Sequence, residues 1–342
     1  MLLADFTPKS QLMVPQHEVL TPRFPVVDAH NHLDTTFGGG WIHRPTAEML
    51  DALDSVHVTH LVDLDGGWGE EILQRHLDRL APSGRFSVFG GVDWSQWPRL
   101  GEAFPEFAAR RLEQQKAWGA RGLKIWKPFG LSVTDPQGRL AAVDDPRLDP
   151  IWQAAGELNL PVLVHVADPA AFFDPIDARN ERWEELGQHP DWAFPSPPYP
   201  PLMEILNGFH RLVKRHPGVT FIGAHVGCYA ENLAWVGRML DDCPNYFVDI
   251  SERIGELGRQ PFTARRFFLR YADRILFGLD TGIDLPNYRL YFRLLETEDE
   301  YFNYNPTSTP RQGRWGAYGL ALPDNVLRKV YSANAARVLR LA

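Results

Sequence analysis

The chain has 342 residues, 44% of them hydrophobic and 23% charged, a globular balance with enough chain for a large core, so disordered and fibrous classes are excluded. Its 35 Lys and Arg against 43 Asp and Glu give a net charge of −8 with no basic block, a poor match for nucleic acid. No apolar run nears the ~18 residues of a membrane span, and the two cysteines, Cys228 and Cys243, exclude a disulfide framework and point to a reducing, cytoplasmic compartment.

Residues 1–24 read as an N-terminal extension. They lack the basic start and long apolar stretch of a secretory signal. From there short apolar, β-branched runs alternate with amphipathic stretches. The runs are Val26–Asn31, 58–64, 86–93, 122–127, 162–166, 220–225, 246–250 and 275–279. Helix-like segments follow at 46–55, 69–80, 102–118, 147–159, 202–216, 230–241, 261–272 and 285–295, and a last one closes the chain at 323–340. Eight such units in a row predict an α/β fold, a (β/α)8 TIM barrel, as one domain over 25–342. The rival doubly wound sheet has no G-x-G-x-x-G at a first βα turn to support it. The proline-rich stretch 189–201 reads as a long βα loop, and 296–318 as a second long loop. Both regions are rich in aromatics, which predicts a homodimer.

Six of the 12 histidines, His57, His60, His76, His189, His210 and His216, fall in helices or turns, where a surface or satisfied core role is the ordinary reading. Four sit at strand ends: His30 and His32 in VVDAHNH, His165 in PVLVHV and His225 in TFIGAHVG; Asp280 ends the eighth run in ILFGLD. Side chains on a strand alternate faces, so His30 and His32 point the same way. In a barrel the C-terminal strand ends meet around one mouth, where these imidazoles and a carboxylate would converge. That donor set suits one divalent ion, Zn2+ first, with Mn2+ or Fe2+ as alternatives.

VDAHNH, RGLKIW, PVLVHV, GAHVG, FGLD and the closing ANAARVL together resemble the amidohydrolase superfamily, and most of all its amidohydrolase-2 group. That group includes aminocarboxymuconate semialdehyde decarboxylase, aromatic-acid decarboxylases, lactonases and other hydrolases. The likeness runs over about residues 25–340. It implies that His30, His32, His165 and Asp280 ligate the metal. It also implies that His225 stands beside them to polarise substrate or water, although some superfamily members hold two metals and use this histidine as a ligand. The expected activity is hydrolysis of a small amide, ester or lactone by a metal-activated water, with Asp280 and His225 as the catalytic pair. The alternative is non-oxidative decarboxylation of a small unsaturated or aromatic acid.

Substrate contacts should come from the loops. The first carries Trp41, His43 and Arg44 behind Gly38 to Gly40; the fifth carries Asp168, Phe172, Phe173, Arg179, Arg182 and Trp183; the seventh carries Glu252 and Arg253. Trp68, Trp94 and Trp97 follow the second and third strands. Of these, Trp41, Arg44 and Arg253 are the expected substrate contacts, for a carboxylic acid or derivative. In RGLKIWK, Leu123 and Ile125 share the face that packs on helices, so Lys124 should point into the barrel. There it would bind substrate or pair with Asp28 or Asp63; some relatives instead carboxylate such a lysine to bridge two metals.

Overall fold

The computed structural model describes residues 5–6, 8–305 and 312–341. Eight parallel strands pair in chain order. They are β1 (Val26–Asn31), β2 (Val58–Asp63), β3 (Phe86–Gly90), β4 (Gly122–Ile125), β5 (Val162–Val164), β6 (Phe221–Gly223), β7 (Tyr246–Asp249) and β8 (Ile275–Leu276). Residues just past β8 bring it against β1: the Ala29 amide donates to Phe277 O at 2.9 Å, and those of Leu279 and Asp280 donate to His30 O at 3.1 and 2.8 Å. The expected (β/α)8 barrel is therefore the fold. β2 to β8 are shorter than their apolar runs, whose last residues lie past the strand ends, while β1 matches its run.

The main outer helices are α1 (Thr46–Ser55), α2 (Glu70–Leu80), α3 (Phe104–Trp118), α4 (Asp149–Glu157), α5 (Leu202–Arg215), α6 (Leu233–Asp242), α7 (Pro261–Arg270) and α8 (Leu285–Glu296). Their starts are written in the sequence. In α8, Pro286 occupies the first turn, where its missing amide costs nothing, and the Asp284 carboxylate caps the Asn287 amide at 3.1 Å. The apolar stripe of α5, Ile205, Leu206, Phe209, Leu212 and Val213, recurs every three or four residues and faces the sheet.

The fifth loop is less open than its prolines suggest. A short helix, Trp183–Gln188, and a single helical turn, Pro190–Trp192, stand in front of the proline run. Within the second long loop, residues 306–311 lie outside the described residues. Among the described residues no helix is long and apolar enough to cross a membrane.

Two apolar layers fix where chemistry can happen. Outside the sheet, residues such as Leu123, Ile125, Val162, Val164 and Phe221 pack against the helices. Inside, Val27, Ala29, Val62, Phe89, Leu163, Ile222 and Leu276 fill the lumen. The last helix plugs its N-terminal end with Ala335, Val338 and Leu339. Each large apolar side chain buried this way is worth about 1.5–3 kcal/mol, and the lower lumen is mainly apolar. Polar side chains gather at the opposite end, where the strands finish.

Candidate metal centre

His30 and Asp280 sit on the seam where the barrel closes. β1 is irregular there: its pairing with β2 slips between Asp28 and Asn31. Val27 and Ala29 pack in the lumen, so strict alternation would turn His30 outward. The slip reverses the phase. His30 reaches inside, where its Nε2 is 3.2 Å from the Lys124 ammonium and 3.3 Å from an Asp280 oxygen.

His225 arrives by a different route from the one strand alternation suggests. On β6, Phe221 packs outward and Ile222 inward. Continued alternation would put His225 outside as well. Instead the strand stops at Gly223, and residues 225–228 adopt four consecutive left-handed conformations, with φ of 57°, 57°, 66° and 60°. Such a conformation costs an L-residue roughly 1–2 kcal/mol, so the turn must be held. The His225 amide donates to Asp249 Oδ1 at 3.1 Å, the Cys228 amide to Ala224 O at 2.8 Å, and the whole turn is buried. Asp280 is also left-handed, at φ 70°. Left-handed backbone at two candidate functional residues, held by buried hydrogen bonds, fits a site that over-determines their positions.

One donor atom each from His30, His225 and Asp280 lies within 4.8 Å of the others. His32 Nε2 adjoins them, 3.1 Å from the same Asp280 oxygen that faces His30. The His165 ring stands edge-on to the His225 ring, with centroids 4.5 Å apart. Its Nε2 is buried with no hydrogen bond, 3.4 Å from Asp168 Oδ1. The structure thus brings together all five strand-end residues. The tightest group contains His225, whereas His32 and His165 stand just outside it.

The tautomers make this a donor set. Oxygen partners face three of the imidazoles at Nδ1: Asp249 Oδ2 at 2.9 Å for His30, Asp65 Oδ1 at 2.6 Å for His32, and Ser251 O at 2.9 Å for His225. Each Nε2 lone pair is then directed at the shared centre, the arrangement that orients metal-binding histidines. With the orphaned Nε2 of His165, these residues fit one divalent ion. Sequence reasoning missed the acceptors Asp65, Asp249 and Ser251. Their signal was present: Asp65 and Asp249 stand at the ends of the second and seventh strands.

Charges follow from burial and neighbours. Asp280 is largely buried, which would raise its pKa, but His30 and His32 hold it well below the ordinary carboxylate range. Burial pushes His165 down to about 4, and burial with Arg253 and His165 nearby pushes His225 far down, so both stay neutral. His32 goes the other way. Burial would lower it, but hydrogen bonds to Asp280 and Asp65 lift it to about 9. In protein stripped of metal, His32 therefore carries a proton at neutral pH that an entering cation must displace. The folded value lies above the ordinary 6.5, so this proton stabilises the stripped fold fully below about 6.5 and is lost as pH rises through about 9. Metal affinity should accordingly rise about tenfold per pH unit between 7 and 9. Metal-buffer titrations of stripped protein at three pH values check this, and a flat profile would contradict it.

The predicted substrate residues separate. Lys124 is buried between the outward-facing Leu123 and Ile125 and points into the lumen. It does not pair with Asp28 or Asp63, one of the two alternatives. The Asp28 carboxylate is taken by Asn31 and Tyr288, and Asp63 by His76 at 2.6 Å. Arg253 is buried as well, its amide donating to the Tyr291 hydroxyl at 2.9 Å and its guanidinium to Glu252 O at 2.7 Å. Trp41 and Arg44 are drawn to each other instead. The guanidinium lies 3.9 Å from the indole centroid and 3.3 Å from Glu48, and no contact among the described residues joins either to the histidines. Arg179 is exposed on Asp177, Arg182 is buried on Glu256 and Glu185, and Trp94 and Trp97 pack with Phe104. An aromatic wall not read from sequence stands beside His32: Trp126 lies 4.9 Å from its ring, and the exposed Phe37 stacks on Trp126 at 6.1 Å. Gly38 follows Phe37 and must be glycine, since a Cβ there would meet the backbone oxygen of His32.

The amidohydrolase family model, Amidohydro_2, matches residues 27–341. The chain belongs to the amidohydrolase family. No curated protein matches it. Several solved structures share its fold. A 2,6-dihydroxybenzoate decarboxylase complexed with 2,6-dihydroxybenzoate is 18% identical, with a TM-score of 0.57 over 93% of this chain and 99% of that one. A dihydroxybenzoic acid decarboxylase from Polaromonas sp. JS666, with bound manganese and 2-nitroresorcinol, is 16% identical, with a TM-score of 0.57 over 93% and 97%. The 5-carboxyvanillate decarboxylase LigW from Sphingomonas paucimobilis is 13% identical, with a TM-score of 0.54 over 93% and 99%. At these identities the likeness establishes the barrel alone.

Proposed function

We propose that this amidohydrolase-family protein is a metal-dependent, non-oxidative decarboxylase of a small aromatic carboxylic acid. One observation carries the reading. Two buried cations, Lys124 and Arg253, flank the histidines, and neither forms an ion pair among the described residues. Carboxylates support both only from beyond ion-pairing distance, Glu256 and Glu231 for Arg253 and Asp280, Asp249 and Asp65 for Lys124; a substrate carboxylate would give each buried cation a direct partner. An uncharged ester or lactone would not, so the hydrolase expectation gives way to its alternative. The aromatic wall of Trp126 and Phe37 suits a flat ring. The solved structures named for decarboxylases of aromatic acids support the same choice.

His30, His32, His165 and Asp280 would hold a single divalent ion, zinc or manganese, to which imidazole and carboxylate donors are suited. When bound, it supplies Lewis acidity to the substrate oxygens. Lys124 and Arg253 bind the carboxylate, and Trp126 orients the ring. Asp280, ionised at rest, first takes a proton from water or from the substrate's own acidic group through its partly open side, 18% exposed; it then delivers that proton to the ring carbon as the bond to the carboxylate breaks and CO2 leaves. His225, 3.5 Å from Asp280 Oδ2 and neutral, passes protons to and from that carboxylate.

The test is elemental analysis of the purified protein, followed by a screen of hydroxybenzoic acids, esters and lactones scored for both CO2 and acid release. About one metal equivalent with CO2 released from the aromatic acids is the expected result. Acid released from uncharged esters or lactones, with no CO2 from any acid, would restore the hydrolase reading.

A further inference from the structure

A second site lies at the other end of the barrel. An open cavity of about 840 Å3 sits beside the N-terminal ends of β2, β3 and β4, bounded by the ends of α2 and α3 and by the chain's last turn. Its floor is polar: the buried His60 shares a hydrogen bond of 2.9 Å with Ser87 Oγ. Trp118 supplies an apolar wall.

Three cations line this cavity: Lys116, Arg121 and Arg340. Elsewhere in this acidic chain, cations commonly sit on carboxylates, as Lys127 does on Asp168 and Lys329 on Asp273. Here they do not. Among the described residues, the side chains of Lys116 and Arg121 have no ion pair, and the Arg340 guanidinium donates to the neutral Asn159 at 2.6 Å. The one lining carboxylate, Asp78, holds the Gln74 amide at 2.7 Å. The cations feel one another: burial first, then Arg121 and Arg340, pull the Lys116 ammonium below its ordinary value. Burial, Arg85 and Arg121 push His60 down to about 4, so it faces the cavity as a neutral hydrogen-bonding group. Three cations against one carboxylate, with no ion pair among them, leave a net positive cavity over a polar floor, which favours an anion.

We propose that this cavity binds a small multivalent oxyanion, a free phosphate or the phosphoryl group of a small metabolite. Lys116, Arg121 and Arg340 supply charge, the His60–Ser87 pair forms a neutral polar floor beneath them, and Trp118 covers any apolar body the phosphoryl group carries. The site is independent of the reaction at the opposite mouth.

Isothermal titration of the holoenzyme with inorganic phosphate and with phenyl phosphate tests it, each against the wild type and the Lys116→Gln/Arg121→Gln double variant. Saturable phosphate binding is expected in the wild type and should weaken by about tenfold or more in the double variant. Metal content and turnover should stay unchanged. Tighter binding of phenyl phosphate identifies a phosphorylated metabolite as the source, and equal binding identifies free phosphate. The proposal is overturned if the wild type shows no saturable binding, or if the double variant binds phosphate equally well, which would place the anion at the metal. Melting temperature in anion-free buffer is the second readout. It should hold or rise in the double variant, because mutual repulsion is relieved; a fall with unchanged phosphate affinity would make these side chains structural.

Discussion

Asp280→Asn should lower kcat by about 10²–10⁴-fold, the usual loss when a positioned proton-transfer group is removed, while leaving the fold intact. The choice of residue matters because Asp280 is left-handed, with φ 70°. Asn and Asp tolerate that region best among side-chain-bearing residues, so Asn keeps the backbone and Ala would confound chemistry with strain. What Asn removes is the carboxylate. Its Oδ1 faces His32 at 3.1 Å and His30 at 3.3 Å, and its Oδ2 faces His225 at 3.5 Å. An amide cannot carry the proton, and it takes away a principal support for the raised pKa of His32. Stripped Asp280→Asn should therefore show His32 titrating below the wild-type value of about 9, which an NMR pH titration reads independently of turnover. Activity within about threefold of wild type, at equal metal content, would remove Asp280 from the proton path.

Much of this site was legible because parallel barrel strands are buried on both faces and end at one mouth. A histidine or aspartate closing an apolar run stands out against Val, Leu and Ile. That is how His30, His32, His165, His225 and Asp280 could be read together before any coordinates. The phase of each side chain was less legible. His30 faces inward only because β1 slips against β2, and His225 only because a left-handed turn follows Gly223. Neither event has a periodic signature. Tertiary pairing of charges was hidden for a related reason. Asp28 and Asp63 looked available to Lys124, but Tyr288 and His76, distant in sequence, claim them. Trp41 and Arg44 looked like substrate contacts because they share a loop with the glycines. The two stack on each other, and the ring that meets His32 is Trp126.

Lys124→Met should raise KM for the acidic substrate by about 10–10²-fold, the worth of one charge-assisted hydrogen bond, with metal content unchanged. The argument rests on what surrounds the ammonium. Burial pushes its pKa down, while Asp280, Asp249 and Asp65 pull it back up without any of them forming an ion pair with it. Its nearest recorded polar partner is His30 Nε2 at 3.2 Å, a nitrogen whose lone pair is directed at the donor cluster. A group bound among the histidines would therefore lie within reach of Lys124. Met keeps the length and apolar stem and removes the charge, so the melting temperature should hold or rise, since a buried cation with no counter-ion is costly to the free protein. Lys124→Arg keeps the charge but changes its shape, and should recover only part of the affinity. Two other roles would leave different traces. A carboxylated lysine bridging two ions would make metal content fall together with kcat in Lys124→Met. A purely structural lysine would lower the melting temperature and leave KM alone. Measuring KM, metal content and melting temperature on the same preparation separates the three, and only a rise in KM by itself keeps Lys124 as the anchor of the substrate carboxylate.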